Sequence, residues 1–253
     1  MLSLFLLGST MAEIIEKNDI TDFYPVDVAF GGHIVDALAE LDPESCPHHV
    51  KAFLQRDSKQ QVFRGDYDSP KAFIQAIRQF QKQTGSDGER KFNAARLPLI
   101  NYYRPIGFRS ASAEYAQFVE SVTGWDDALL KKTNISISYL ELTYRIVFMA
   151  NDKASVERLV LAWHMHIARR RAGGHRFNVT YSLFGEDIDL PITIEDSQTI
   201  EANNLSHNYA DGRLYAVDVE HTVNAPILYG KGVGHISPIR WMVEFRPLEE
   251  VFV

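Results

Sequence analysis

The stretch Asn134-Ile-Ser-Ile-Ser-Tyr-Leu-Glu-Leu-Thr-Tyr-Arg-Ile-Val-Phe-Met149 leads, after Ala150, into Asn151-Asp-Lys-Ala-Ser-Val-Glu-Arg-Leu-Val-Leu-Ala-Trp163. The first half alternates apolar and polar residues and predicts a strand about fifteen residues long. Ile135, Ile137 and Tyr139 point to one side, whereas Leu140, Leu142, Tyr144, Ile146 and Phe148 point to the other. The apolar face therefore switches near Tyr139–Leu140, which implies a bulge or a strand covered differently at its two ends. In the second half Asn151 or Asp152 caps a helix whose buried stripe is Val156, Leu159, Val160, Trp163 and Ile167. Arg169, Arg170 and Arg171 fall at its C-terminus, where positive charge complements the helix dipole, and Gly173-Gly174 ends it. No catalytic motif lies in either half. The pair reads as scaffold.

Outward from this spine, the remaining elements follow from periodicity and turn residues. Towards the N-terminus, Ile34, Val35, Leu38 and Leu41 predict a helix over 32–41 that Asp42-Pro43 ends. Cys46-Pro-His-His49 reads as a turn and Val62–Arg64 as a short strand. Ser69 and Pro70 open a second helix with the stripe Phe73, Ile74, Ile77 and Phe80, stopped by Gly85–Gly88. Leu97–Arg104 predicts a strand in which Pro98 is confined to the start or an edge. A short helix is expected around 113–122, before an exposed Gly124-Trp-Asp-Asp127. Towards the C-terminus, Phe177–Phe184 and Ile188–Ile194 predict a hairpin, Glu195–Asp211 a polar connection, and Arg213–Asn224 a strand. From Pro226 onward glycine and proline suggest an arm. The order of elements predicts an α+β fold, with a mainly antiparallel sheet flanked by helices and extended N- and C-terminal arms. Its parts are an N-terminal segment with one helix (1–61), an α+β core (62–229) and a C-terminal arm (230–253).

Composition bounds the function. At 253 residues the chain buries a sizeable core. The net charge of -7 argues against nucleic-acid binding by the whole surface. A single cysteine, Cys46, excludes an internal disulfide framework and suits a reducing cytoplasm. Met1–Thr10 is apolar, but it is far shorter than the roughly 20 residues of a bilayer-spanning helix. With no Lys or Arg before it, it reads as a segment docking on its own protein or a neighbour.

The chemistry-bearing residues form no recognisable site. Cys46, His48 and His49 are close but have no second ligand pair for zinc. His164 and His166, two apart on a helix, project to different sides and cannot share a metal there. Gly230-Lys-Gly-Val-Gly234 lacks the ending and the strand-to-helix setting of a phosphate loop, so it reads as a flexible loop. Glu186, Asp187 and Asp189 lack calcium-loop spacing. The residues themselves therefore offer no catalytic site and no metal site. Arg169, Arg170 and Arg171 with Arg176 form the one notable basic cluster, suited to an acidic partner surface.

Leu97-Pro-Leu-Ile-Asn-Tyr-Tyr-Arg-Pro-Ile-Gly-Phe-Arg-Ser110, Ser138–Met149 with its helix, Gly185-Glu-Asp-Ile-Asp-Leu-Pro-Ile192 and Gly212–Tyr229 occur in a telling order. Together they resemble the tail terminators (tail sheath stabiliser and completion proteins) of contractile-tailed bacteriophages. The resemblance spans roughly residues 62–229 and rests on structural motifs. It implies a virion protein that is not an enzyme and takes no substrate or cofactor, its subunits forming a ring, usually hexameric, at the head-proximal end of the tail. Such a ring terminates the tail tube, stabilises the last sheath ring and offers a docking surface to the neck. The implied partners are other copies of the chain, tube protein, sheath protein and neck or connector proteins. DNA would pass through the lumen without specific binding, and no membrane is involved. Assembly would occur in the host cytoplasm. Trp125, Tyr102, Tyr103 and Trp241 are of the types that anchor interfaces, and with Arg169, Arg170, Arg171 and Arg176 they are the candidate contact residues. Another neck, tube or baseplate component is the alternative, with an unrelated soluble enzyme or ligand-binding protein ranked behind it.

Overall fold

The computed structural model describes residues 16–83, 97–111, 119–126, 131–168, 175–183, 186–194, 201–209 and 212–233. In chain order the first elements are β1 (Glu16–Ile20), α1 (Tyr24–Ala39), α2 (His48–Leu54), β2 (Val62–Arg64), α3 (Pro70–Gln83) and β3 (Leu99–Tyr103). Next come β4 (Arg109–Ser110), β5 (Val119–Asp126), β6 (Lys131–Ala150) and α4 (Lys153–Ala168). The rest is β: β7 (His175–Leu183), β8 (Glu186–Ile194), β9 (Ala202–Asn204), β10 (His207–Tyr209) and β11 (Gly212–Val233).

The spine is β6 paired with β11. Their antiparallel ladder runs without a break from Tyr215↔Ala150 to Gly232↔Thr133. At about 3.4 Å per residue it is roughly 60 Å long. Each outer edge of this ladder is shared by short strands. On β6, β3 pairs near Ala150, β4 at Leu140–Glu141 and β5 beyond Ile137. On β11, β10 and β9 pair first, β8 at Val223–Asn224 and β1 from Tyr229 on. Pro226 falls in the interval between β8 and β1. There β11 has no neighbour on that edge among the described residues, so a missing N–H is tolerated.

That placement corrects two expectations. β11 continues through Pro226, and Gly230–Val233 lies inside it against β1 and β6, so neither an arm from Pro226 nor a loop at Gly230 is present there. Residues 234–253 lie outside the described residues. The sheet is also mixed where a mainly antiparallel one was expected. β2 runs parallel to β3, and α3 supplies the crossover that parallel neighbours require.

The face switch on β6 has a structural explanation. No bulge interrupts its pairing with β11; the register shift sits in β5, between Val119 and Val122. Because the sheet curls, Ile135 and Ile137 join the same core as Leu142, Tyr144, Ile146 and Phe148 from the opposite face. That core is completed by Val26, Phe30 and Ile34 of α1, and by Val156, Leu159, Trp163 and Ile167 of α4. Alternate residues Val147 and Met149 face the other way and meet Phe73 and Ile74 of α3.

Local signals account for most helix starts. The Asp152 carboxylate accepts from the Ser155 backbone N–H at 2.8 Å and caps α4. The Ser69 hydroxyl accepts from Ala72 N–H at 3.2 Å and caps α3, with Pro70 first in the helix. α1 begins eight residues ahead of the expected Gly32. Asp22 accepts from Tyr24 N–H at 2.9 Å, and Pro25 fits the first turn, where its missing N–H costs nothing. The turn expected at Cys46–His49 opens the second helix of this segment, α2, where one was expected. Residues 119–122 are strand rather than helix, because the free edge of β6 captures them. Residues 112–118 lie outside the described residues, as do the stops at Gly85–Gly88 and Gly173-Gly174.

Candidate assembly surfaces and a histidine cluster

A buried carboxylate organises the N-terminal end of α1. Asp27 accepts from Arg64 Nη2 at 2.6 Å, from Arg104 Nε at 3.1 Å and from the Tyr144 hydroxyl at 2.5 Å. Its own carbonyl accepts from the Tyr102 hydroxyl at 3.0 Å. Burial, first, and the Asp27 charge, second, push the Tyr144 phenol far above its ordinary range, so it stays a donor. Asp27 thus ties α1 to β2, β6 and the end of β3.

The two arginines held this way carry aromatic rings with them. The Arg104 guanidinium lies 4.6 Å from the Phe23 ring centre, and Arg64 lies 5.2 Å from that of Tyr24. Phe23 meets Phe108 at 5.7 Å. The connection Pro105-Ile-Gly-Phe108 turns at Gly107, whose φ of 136° favours glycine. It projects Ile106 entirely into solvent and leaves Phe108 exposed. Tyr24 and Val28, one helical turn apart on α1, are exposed beside them. The result is a cationic, aromatic surface patch.

The opposite end of α1 presents a different surface. Ala37, Glu40, Leu41 and Asp42 form one wall of a 350 Å³ cleft, and Arg158, Leu161, Ala162 and Met165 of α4 form the other. Leu161 and Met165 are exposed. Arg158 donates to the Ser45 hydroxyl at 3.0 Å, Glu40 is engaged by His166 at 2.9 Å, and Asp42 lies at the rim. At 1.5 Å per residue, α1 separates the two surfaces by roughly 20 Å.

Between these ends lies a cluster of imidazoles. His33 of α1, His166 in the last turn of α4 and His175 at the start of β7 each offer a ring nitrogen, and these nitrogens lie within 4.8 Å of one another. His33 and His175 are buried. His166 Nδ1 contacts Glu40 Oε1 at 2.9 Å. Phe177 stacks on His33 at 4.6 Å, and Trp163 stacks on His166 at 6.2 Å.

The sequence-derived contact residues are scattered by the fold. Tyr102 is buried in the core, a correction to its expected exposure. Period-two alternation places it inward, over Gly31, where an added Cβ would stand 2.3 Å from its hydroxyl. Tyr103 is half-buried and bonds to Arg145 at the edge of the α3 cluster. Arg176 is exposed on β7, close enough to Tyr139 to oppose the upward push of burial on that phenol. Trp125 lies in β5, paired with Lys132. Arg169, Arg170, Arg171 and Trp241 lie outside the described residues.

Sequence reasoning missed the Ile106–Phe108 projection as a surface, although it falls inside the motif that carries the phage resemblance. It also missed His33 and His175. It placed His166 on a helix correctly, but His33 comes from a distant helix, and His175, nine residues after His166, shows no metal-ligand spacing of a recognised kind. His48 and His49 are exposed at the start of α2, and they meet only each other among the ring contacts of described residues. No protein family matches the chain, and no curated protein matches it. Among the described residues no helix is long and apolar enough to cross a membrane.

Proposed function

We propose that this chain is the subunit of a ring, of hexameric order, that terminates the tail tube of a contractile phage, stabilises the last sheath ring and provides the docking surface for the neck. The observation that carries this reading is the pair of unlike surfaces at the two ends of α1. A closed ring needs a heterologous contact, in which one patch of a subunit meets a different patch of its neighbour. An aromatic knob flanked by Arg64 and a cleft exposing Leu161 and Met165, with Asp42 at its rim, are complementary in that sense, and Arg and aromatic residues are favoured interface anchors. The knob also belongs to the motif Leu97–Ser110 on which the resemblance to tail terminators rests.

The occupant of the cleft is thus the Ile106–Phe108 projection of a second copy. Tail tube, sheath and neck proteins would meet the remaining faces, and DNA would cross the lumen without specific contact. Another position in the same tail, as a neck, tube or baseplate component, is the alternative, and location in the particle separates it from the first reading.

The test uses two variants with opposite defects. One carries Ile106→Asp with Phe108→Asp, and the other carries Leu161→Asp with Met165→Asp. In the presence of tail tubes, neither variant alone should cross-link into rings. Mixed, they retain one intact knob-and-cleft contact and should yield cross-linked dimers. Rings formed by either variant alone, or no dimers from the mixture, would remove the assignment of these surfaces.

A further inference from the structure

We infer that His33, His166 and His175 form a binding site for a zinc-class divalent transition metal, independent of whether the chain builds a ring. Three observations carry it. The ligand nitrogens converge within 4.8 Å, from two helices and a strand, His33 being remote in sequence from the neighbouring pair His166 and His175. In a tetrahedral site with bonds of about 2.0–2.1 Å, imidazole nitrogens lie about 3.3 Å apart, so small ring rotations suffice to close this cluster.

The second observation concerns the tautomer. The Glu40 carboxylate accepts from His166 Nδ1 at 2.9 Å, so Nδ1 carries a proton, and in the neutral ring that a metal binds the lone pair is on Nε2. A carboxylate behind an imidazole is the arrangement that orients metal-binding histidines and raises their basicity. Third, His166 Nε2 is itself buried and makes no hydrogen bond to any described residue. A buried polar atom left without a partner costs stability unless something occupies its lone pair.

Imidazole donors suit zinc, nickel, cobalt and copper over magnesium or calcium, which prefer oxygen. With three protein ligands, a fourth position falls to water or another exogenous group. The metal would join α1, α4 and β7, clipping the helix pair to the β7–β8 hairpin. The surrounding rings of Trp163 and Phe177 keep the imidazoles in place.

The experiment uses the untagged full-length chain, stripped with a chelator and titrated with Co²⁺ and then Zn²⁺. One Co²⁺ per chain should bind with the strong visible absorption of a tetrahedral site, and Zn²⁺ should displace it. His33→Gln and His175→Gln should each abolish that band, whereas Glu40→Gln should weaken binding roughly 10–100-fold. Replacing His48 and His49 with alanine should change nothing. X-ray absorption of the zinc-loaded wild-type chain, which does not depend on any variant folding, should count three imidazoles. Folded wild-type protein that takes up no cobalt would overturn the site, as would fewer than two imidazoles on zinc or a band that survives in His33→Gln and His175→Gln.

Discussion

The Trp163 indole N–H donates to His221 Nε2 at 2.7 Å, joining α4 to β11 across 58 residues of chain in the buried core. An imidazole that accepts at Nε2 is neutral there. Burial, first, and the nearby His164, second, pull the His221 pKa down to about 4.

Stability should therefore fall on acidification. The unfolded chain protonates His221 near 6.5, while the folded chain resists until about 4. Between those values the unfolded state binds more protons, so stability rises with pH and is lost as pH drops. The full loss, complete below about pH 4, is on the order of 3 kcal/mol. Urea unfolding of wild type and His221→Gln from pH 7 to 4 isolates this contribution, and the variant should show a shallower decline.

Asp27 is expected to be among the most costly polar residues to remove. Asp27→Ala strands Arg64, Arg104 and the Tyr144 hydroxyl together. Both arginines retain some access to water, so the cost should fall near the low end of a broken buried pair, about 3 kcal/mol. Tyr144→Phe removes one donor while both arginines still hold the carboxylate, and it should cost about 1 kcal/mol. Urea midpoints at constant slope measure both.

Gly31→Ala should destabilise the chain although alanine favours helix. The new Cβ meets the Tyr102 hydroxyl, which is fixed by its bond to the Asp27 carbonyl. Overpacking of this kind costs about 1–3 kcal/mol. The new Cβ would also stand 2.6 Å from the ring carbon Cζ, so Tyr102→Leu, which removes the whole ring end, is the compensating change, and that double variant should be more stable than the sum of the two single effects allows.

Ile106→Asp and Phe108→Asp should separate folding from assembly. Ile106 is fully exposed, so Ile106→Asp should stay within about 0.5 kcal/mol of wild type in thermal unfolding, whereas Phe108→Asp also forfeits the ring contact with Phe23 and should cost about 0.5–1.5 kcal/mol. Particle yield should fall sharply. A variant that lost stability in proportion to yield would point to a structural role for the projection.

How legible this molecule was depends on the scale of the signal. β6 and α4 could be read because period-two alternation and an Asp152 cap are local facts; of the expected stripe, Val156, Leu159, Trp163 and Ile167 are buried and Val160 is half-buried. β11 was cut short because Pro226 and the later glycines look like punctuation. Only the tertiary context, an unpaired interval between β8 and β1, makes them tolerable in a strand. β5 was partly misread because the edge that captures it belongs to β6. The two surfaces and the histidine cluster are assembled from remote elements: Phe108 meets Phe23, and His33 meets His166 and His175. Apart from the nine-residue separation of His166 and His175, no spacing in the chain points to those meetings.

The most direct test of the ring reading is cryo-electron microscopy of contractile tails assembled with and without this chain. With it, the account expects a closed ring at the head-proximal end of the tube, with the projection Ile106–Phe108 of each subunit seated in the α1–α4 cleft of the next. Density for the chain at the baseplate or along the tube, or a ring whose neighbours meet through other surfaces, would contradict it.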